Sequence, residues 1–208
     1  MNIIDFKMVD LNNEMHFILG SSSPRRLELL AQIGIIPNQI VSPKIEEKIL
    51  KNELPLSYVK RIVTKKMSKV RKENPTSLIL TADTIVHVGR RILNKTSELK
   101  EAESFLKFLS GRRHKVTTAF IISSPSYKGK LKLVSSIVKF KRLTLQEIDF
   151  YLKTNEWKGK AGGYGAQGMA SRYINFISGS YSNIVGLPLA DVYRKLIAAG
   201  FIKINEKL

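Results

Sequence analysis

Apolar runs short enough to be strands alternate with amphipathic stretches long enough to be helices along the whole chain, and that alternation predicts a mixed α/β fold. "HFILG" (16–20) reads as a strand. "PRRLELLAQIG" (24–34) reads as a helix with Ser23 at its N-cap, Pro24 in its first turn and Gly34 just past its end. "IIPNQIVS" looks extended, and "PLSYVKRIVTKKMSKVRKEN" is a second helix. "LILTADTIVHV" is a buried strand running on into a second extended piece before a turn at "GRRI". After a helix over "ELKEAESFLKFLSG", the strands "HKVTTAFIISS" and "KLKLVSSIVKF" flank "PSYKG" as a hairpin. Thr144 and Glu147 have capping-box spacing ahead of "IDFYLKTNEW". A Gly-rich loop "GKAGGYGAQG", a strand "YINFI", a loop "SGSYSNIVG" and a last helix "PLADVYRKLIAAG" complete the reading. No repeat or low-complexity linker divides the chain, so its 208 residues are expected to form one domain.

Charge is the one unusual bulk property: 35 Lys plus Arg against 17 Asp plus Glu leave a net +18. Such a field attracts nucleic acid, acidic membrane or nucleotide phosphates. Because the basic residues are dispersed, a solvated Lys-rich surface accounts for the number equally well. No segment approaches the roughly 20 apolar residues of a membrane span. Residues 1–15 lack a basic leader and an apolar h-region, and the absence of cysteine excludes disulfides and thiolate metal sites. The expectation is a cytoplasmic protein with no membrane partner.

Several stretches can carry chemistry. The helix start after Ser21-Ser22-Ser23 offers free amides and a positive dipole end, with Arg25 and Arg26 adjacent, which suits phosphate. A capped helix with two exposed arginines would use the same letters. At about 100° per residue, Val59, Ile62, Val63 and Val70 form an apolar stripe on the second helix with Lys66 in its middle. Its amine either snorkels to solvent or reaches an anion in a cleft. Asp83 ends the apolar half of "LILTADTIVHV", where α/β sheets place metal ligands and general bases; an Asx-turn is the alternative. Glu46 and Glu47 lie at another extended end, and hard divalent cations prefer such oxygens, so Glu47 with Asp83 could hold Mg²⁺ or Mn²⁺. "GYGAQG" fits G-x-G-x-x-G but lacks the strand before and helix after that a dinucleotide site needs. Its Gln167 could read a base edge. His16, His87 and His114 show no metal spacing.

Taken in order, "LGSSSPRRLELL", "TADTIV", "LSGRRHKVTTA", "KAGGYGAQG" and "GSYSNIVGLPL" resemble the successive motifs of the Maf family of nucleoside triphosphate pyrophosphatases, first named as septum-formation inhibitors. The resemblance covers about Phe17 to Gly200. It implies a mixed, twisted sheet with flanking helices in two lobes about a deep cleft, often dimeric. It also implies that Asp83 is the catalytic acid acting as proton acceptor, and that Ser21, Arg25, Arg26, Glu47, Lys66 and Lys95 handle phosphate and metal. Arg25, Thr84 and Gln167 resemble the branch acting on dTTP and UTP; the 7-methyl-GTP branch tends to carry Trp at the first of these positions and an acid at the last. Where the family has Gly-Lys-Pro, this chain reads Asn94-Lys95-Thr96, and residues 1–15 form an extension without an assigned role.

The reaction implied is attack of water on the α-phosphorus of a pyrimidine nucleoside triphosphate, releasing the monophosphate and pyrophosphate. Two other readings stay open: a basic nucleic-acid-binding module, and a cell-division regulator whose catalysis is incidental. The basic residues show no interleaved aromatic platform of the kind single-strand binders use, and the enzymatic reading requires no nucleic acid.

Overall fold

A computed structural model describes residues 11–12 and 14–203. The chain runs β1 (Phe17–Gly20), α1 (Pro24–Gln32), β2 (Gln39–Ile40), α2 (Pro55–Glu73), β3 (Leu78–Val88), β4 (Arg91–Leu93) and α3 (Leu99–Leu109). It continues with β5 (Arg113–Ser123), β6 (Lys132–Phe140), α4 (Leu145–Lys153), a 3₁₀ turn (Met169–Tyr173), β7 (Ile174–Ser178), α5 (Tyr181–Val185) and α6 (Leu189–Ala198). The strands make one seven-stranded sheet in the order β2-β1-β3-β5-β6-β7, with β4 also on β3. Pairing is parallel among β1, β2 and β3 and antiparallel elsewhere, so the sheet is mixed as expected.

Alternation along β3 sorts its side chains onto two faces. On one, Leu78, Leu80 and Ala82 pack with Leu29 and Leu30 of α1 and with Val192 and Leu196 of α6. On the same face, Val86 joins a separate core with Phe105 and Leu106 of α3 and Ile148 and Tyr151 of α4. Thr84 stands between these two cores and belongs to neither; a cleft opens there. On the opposite face, Ile79 and Ile85 pack beneath Val59, Ile62 and Val63 of α2.

β3 departs from the sequence reading. It is one unbroken strand of 11 residues, so Asp83 is not at its end. β5 pairs with it continuously from Ile79↔Ser123 to His87↔Lys115 and holds it extended throughout. On its other edge, β1 pairs only as far as Gly20↔Thr81, and β4 begins at Leu93↔Val86. Residues 82–85 therefore face a gap in the sheet, and Asp83 sits just beyond the carboxyl end of β1 rather than of its own strand.

Smaller departures have local causes. "SGSYSNIVG" is not all loop: Ser180 accepts a bond from the Asn183 amide and opens α5, which Gly186 ends at φ 138°. The 3₁₀ turn intervenes before β7, which starts at Ile174 and runs on to Ser178. The helix in "IDFYLKTNEW" ends at Lys153, although the Thr144–Glu147 capping box forms as predicted. Ser23 occupies the N-cap of α1 without a side-chain capping bond. In the 1–15 segment, Asn12 N donates to Phe201 O at 2.8 Å, and Leu11 and Met15 pack on the core around Phe201. Residues 1–10 and 13 lie outside the described residues. Among the described residues no helix is long and apolar enough to cross a membrane.

Candidate active site

The cleft at Thr84 is a cavity of about 360 Å³ lined by residues from eight separate stretches of chain. Ser21, Arg25 and Arg26 come from the turn leaving β1 and the start of α1. Glu47 comes from the loop before α2, Lys66 from α2, and Lys95 from the loop after β4. The Gly-rich loop contributes Gln167 together with Lys158 and Lys160. Asp83 lines a smaller adjoining hollow that shares Glu47, Thr84 and Lys95 with the main one. All of the site residues expected from sequence are thus brought to one place.

At the centre is an ion triad. Lys66 Nζ lies 2.7 Å from Asp83 Oδ1 and 2.7 Å from Glu47 Oε1. Lys66 is 6% exposed and Asp83 3%, so the amine turns inward and does not snorkel. An aspartate buried this deeply needs such a partner, because desolvation of an unpaired carboxylate would cost several kcal/mol, roughly the penalty for one buried ion. Tyr58, one turn from the start of α2, donates from its hydroxyl to the Glu47 carbonyl at 2.9 Å and pins the loop that carries Glu47. Burial raises the Tyr58 phenol above its ordinary range, with Asp83 and Glu47 adding to the effect, so it stays protonated and donating.

Arg26 is a brace. It is 5% exposed, and its guanidinium donates through Nε to Gly186 O at 3.0 Å, through Nη1 to Ser21 Oγ at 2.8 Å and through Nη2 to Thr84 Oγ1 at 3.2 Å. Burial pulls it below the usual arginine range and the Asp83 charge pushes back. Three of five N–H groups are thereby committed to the frame. Thr84 is committed likewise: its hydroxyl lies 3.2 Å from Gly186 O and 2.9 Å from Thr118 Oγ1. Arg25, by contrast, has its guanidinium in the cleft lining, held below its ordinary range mainly by burial.

The Asn94-Lys95-Thr96 departure is accommodated by hydrogen bonds. Thr96 Oγ1 accepts from Glu98 N at 2.9 Å, Thr96 O accepts from Gly159 N at 3.1 Å, and Lys95 forms an antiparallel bridge with Ala161. The bridge brings the Gly-rich loop against the lysine loop. Gly162, at φ 70°, lies so close to Val86 that a Cβ would come within 2.9 Å of its side chain. Lys158 and Lys160 were not singled out from sequence, since a lysine beside glycines reads as solvated loop. The Lys160 stem crosses Gly165, where a Cβ would meet its Cε at 2.9 Å.

In total six cationic side chains, Arg25, Arg26, Lys66, Lys95, Lys158 and Lys160, line the two hollows against the carboxylates Glu47 and Asp83. Val86, Val116, Tyr164, Ala166 and Ile184 give the cleft an apolar side. The arrangement suits a ligand with an anionic tail and a flat, less polar head. Among the described residues no three His, Cys, Asp or Glu side chains cluster as a self-sufficient metal site. Glu47 and Asp83 are hard oxygen donors beside a cationic cleft, which fits a Mg²⁺-type ion completing its shell with substrate phosphates and water. The histidines serve the frame: His16 bonds Ser77, His87 bonds Thr117, and His114 bonds Tyr164.

A family model described as "Maf-like protein" matches residues 16–199. A "dTTP/UTP pyrophosphatase" of Roseobacter denitrificans is 51% identical over 185 residues, covering 89% of this chain and 97% of its own. A "Nucleoside triphosphate pyrophosphatase" of Anaplasma phagocytophilum is 44% identical over 189 residues, covering 91% and 97%. The "dTTP/UTP pyrophosphatase" of Zymomonas mobilis is 47% identical over 184 residues, covering 88% and 91%.

Proposed function

The chain belongs to the Maf-like family, and from that premise we propose that it hydrolyses dTTP and UTP to the nucleoside monophosphate and pyrophosphate. The observation that carries the reading is Asp83: a carboxylate 3% exposed, held 2.7 Å from Lys66 Nζ, beside a cavity lined by cationic side chains. The names of the similar proteins supply the substrate class.

In this reading the triphosphate lies along the cationic side, under Arg25, Lys95, Lys158 and Lys160 and against the uncapped first turn of α1. Asp83 orients a water molecule toward the α-phosphorus and accepts its proton. The P–O bond to the β-phosphate breaks, and pyrophosphate leaves with that oxygen. Positioning and charge neutralisation do most of the catalysis. Glu47 and Asp83 would hold a divalent cation, Mg²⁺ or Mn²⁺, which when bound offsets charge on the leaving group. Lys66 keeps both carboxylates aimed, and Arg26 fixes Ser21 and Thr84 instead of gripping phosphate with all its donors. With the Thr84 hydroxyl committed to the frame, Gln167 is the side chain left to read the base. Its amide complements the acceptor–donor–acceptor edge of uracil or thymine. A homodimer, which the resemblance implies, is tested by light scattering.

Purified protein incubated with UTP, dTTP, CTP and 7-methyl-GTP plus Mg²⁺ or Mn²⁺ should release pyrophosphate, and not orthophosphate, fastest from UTP and dTTP. Asp83→Asn should abolish turnover. Preference for 7-methyl-GTP, or wild-type kcat in Asp83→Asn, refutes the assignment.

A further inference from the structure

The cleft uses six cations, yet the chain carries a net +18. Part of the remainder is concentrated on one surface of the sheet. On the face that carries Asp83, the core under α2 reaches along β3 as far as Ile85 and along β5 to Ala119, and Ile92 of β4 extends it beside His87, which is 6% exposed. Beyond that boundary the registers align two cross-strand rows. His87, Lys115, Ile137 and Ser178 stand opposite one another in the first. Arg113, Lys139 and Phe176 stand opposite one another in the second. Directly opposed residues share a face, and so do residues two apart, so both rows belong to one surface.

That surface is open. Arg113, Lys115, Ser135 and Ser178 are exposed, and Phe176 is 43% exposed. The Arg113 guanidinium lies 5.2 Å from the centroid of the Phe176 ring. Strands β4 to β7 contain no Asp or Glu. Arg113 directly opposite Lys139 is a like-charged cross-strand pair, which costs the sheet stability unless an anion covers it. Here, then, is the interleaving of aromatic and basic side chains that the linear sequence conceals.

We propose that this uncovered half-face, spanning β5 to β7, is a docking surface for single-stranded nucleic acid. Phosphates would meet Arg113, Lys115 and Lys139, and bases would stack on Phe176 and on the Arg113 guanidinium plane, as on other open-sheet platforms. A second copy of the chain fits poorly: two-fold pairing would set the same cations against each other with no acid to answer them. A duplex would present grooves that a flat sheet cannot enter. The surface is independent of the cleft, which opens at Thr84 and the gap beside it.

The test is fluorescence anisotropy with labelled oligo(U) and oligo(dT) of about 16 nucleotides, the upper site size for such platforms. Three phosphate contacts at about −0.7 each predict a log–log salt slope near −2.1, or about twentyfold weaker binding between about 50 and about 200 mM salt. Arg113→Glu/Lys115→Glu/Lys139→Glu should abolish binding, and Phe176→Ala should weaken it at every salt concentration. An unchanged melting midpoint shows that the variants fold. Should the triple reversal not fold, Lys115→Gln/Lys139→Gln should reduce the slope by about 1.4. Excess UTP should displace no oligonucleotide, which separates this surface from the cleft whatever the cleft hydrolyses. Binding that survives these substitutions, that UTP displaces, or that appears only with phosphatidylserine vesicles overturns the proposal.

Discussion

Replacing Lys66 by methionine keeps the aliphatic stem in its apolar stripe and removes only the ammonium. Asp83, 3% exposed, then loses its 2.7 Å partner, while Glu47, whose side chain is 36% exposed, can turn to solvent. Breaking a buried ion pair on one side costs about 3–5 kcal/mol. Arg26 and Lys95 still act on Asp83 here, so the low end, about 3 kcal/mol, is expected. At about 2–4 °C per kcal/mol for a chain of this size, the melting midpoint should fall by about 6–12 °C at neutral pH. Adding Asp83→Asn removes the stranded charge, so Lys66→Met/Asp83→Asn should recover about 2 kcal/mol of that loss, the coupling expected of a contacting pair. The assay is thermal or urea unfolding of the wild type, both single variants and the double. All three variants should release no pyrophosphate, so stability and not turnover is the informative readout. A Lys66→Met midpoint within about 2 °C of wild type, a shift below about 1 kcal/mol, refutes the buried-pair argument, as does a double variant that loses the sum of the singles.

Burial holds His114 down at about 4, so between its ordinary 6.5 and that value the unfolded chain binds a proton that the fold refuses. Stability is complete above about pH 6.5 and falls as pH drops toward 4, by about 3 kcal/mol in all. His114→Gln should flatten most of that slope in melting curves; His87, also lowered by burial, leaves a residue of the same sign. Gly186→Ala places a side chain at φ 138°, where the carbonyl serves Arg26 and Thr84; it should cost about 1–3 kcal/mol and raise KM in nucleotide assays. Thr144→Ala breaks a capping box remote from the cleft and should cost about 1 kcal/mol with kcat unchanged. Chelation by EDTA should abolish pyrophosphate release, with Mg²⁺ or Mn²⁺ restoring it.

Lys66 was legible because helical periodicity is local: a cation within an apolar stripe either escapes or has an anion waiting, and the anion was seventeen residues on. The α/β class and most helices were legible for the same reason. Asp83 drew notice as an acid in an apolar strand, but its position was misread, because only β5, more than thirty residues away, shows that β3 continues past it. α5 escaped because five residues give too short a period to detect. The bracing role of Arg26 was invisible, since Gly186 and Thr84 are distant in sequence and nothing local commits its donors. The basic half-face was hidden by strand alternation, which scatters Arg113, Lys115, Lys139 and Phe176 among inward-facing neighbours.

Two of the cleft's walls, the segments after β1 and after β4, hang from the same edge of β3, yet behind the vacancy between them β5 runs unbroken and acts as a splint. The base of the cleft consequently cannot flex like a book spine. Asp83 stays fixed to a backbone whose amides opposite β5 should be among the slowest in the molecule to exchange with heavy water.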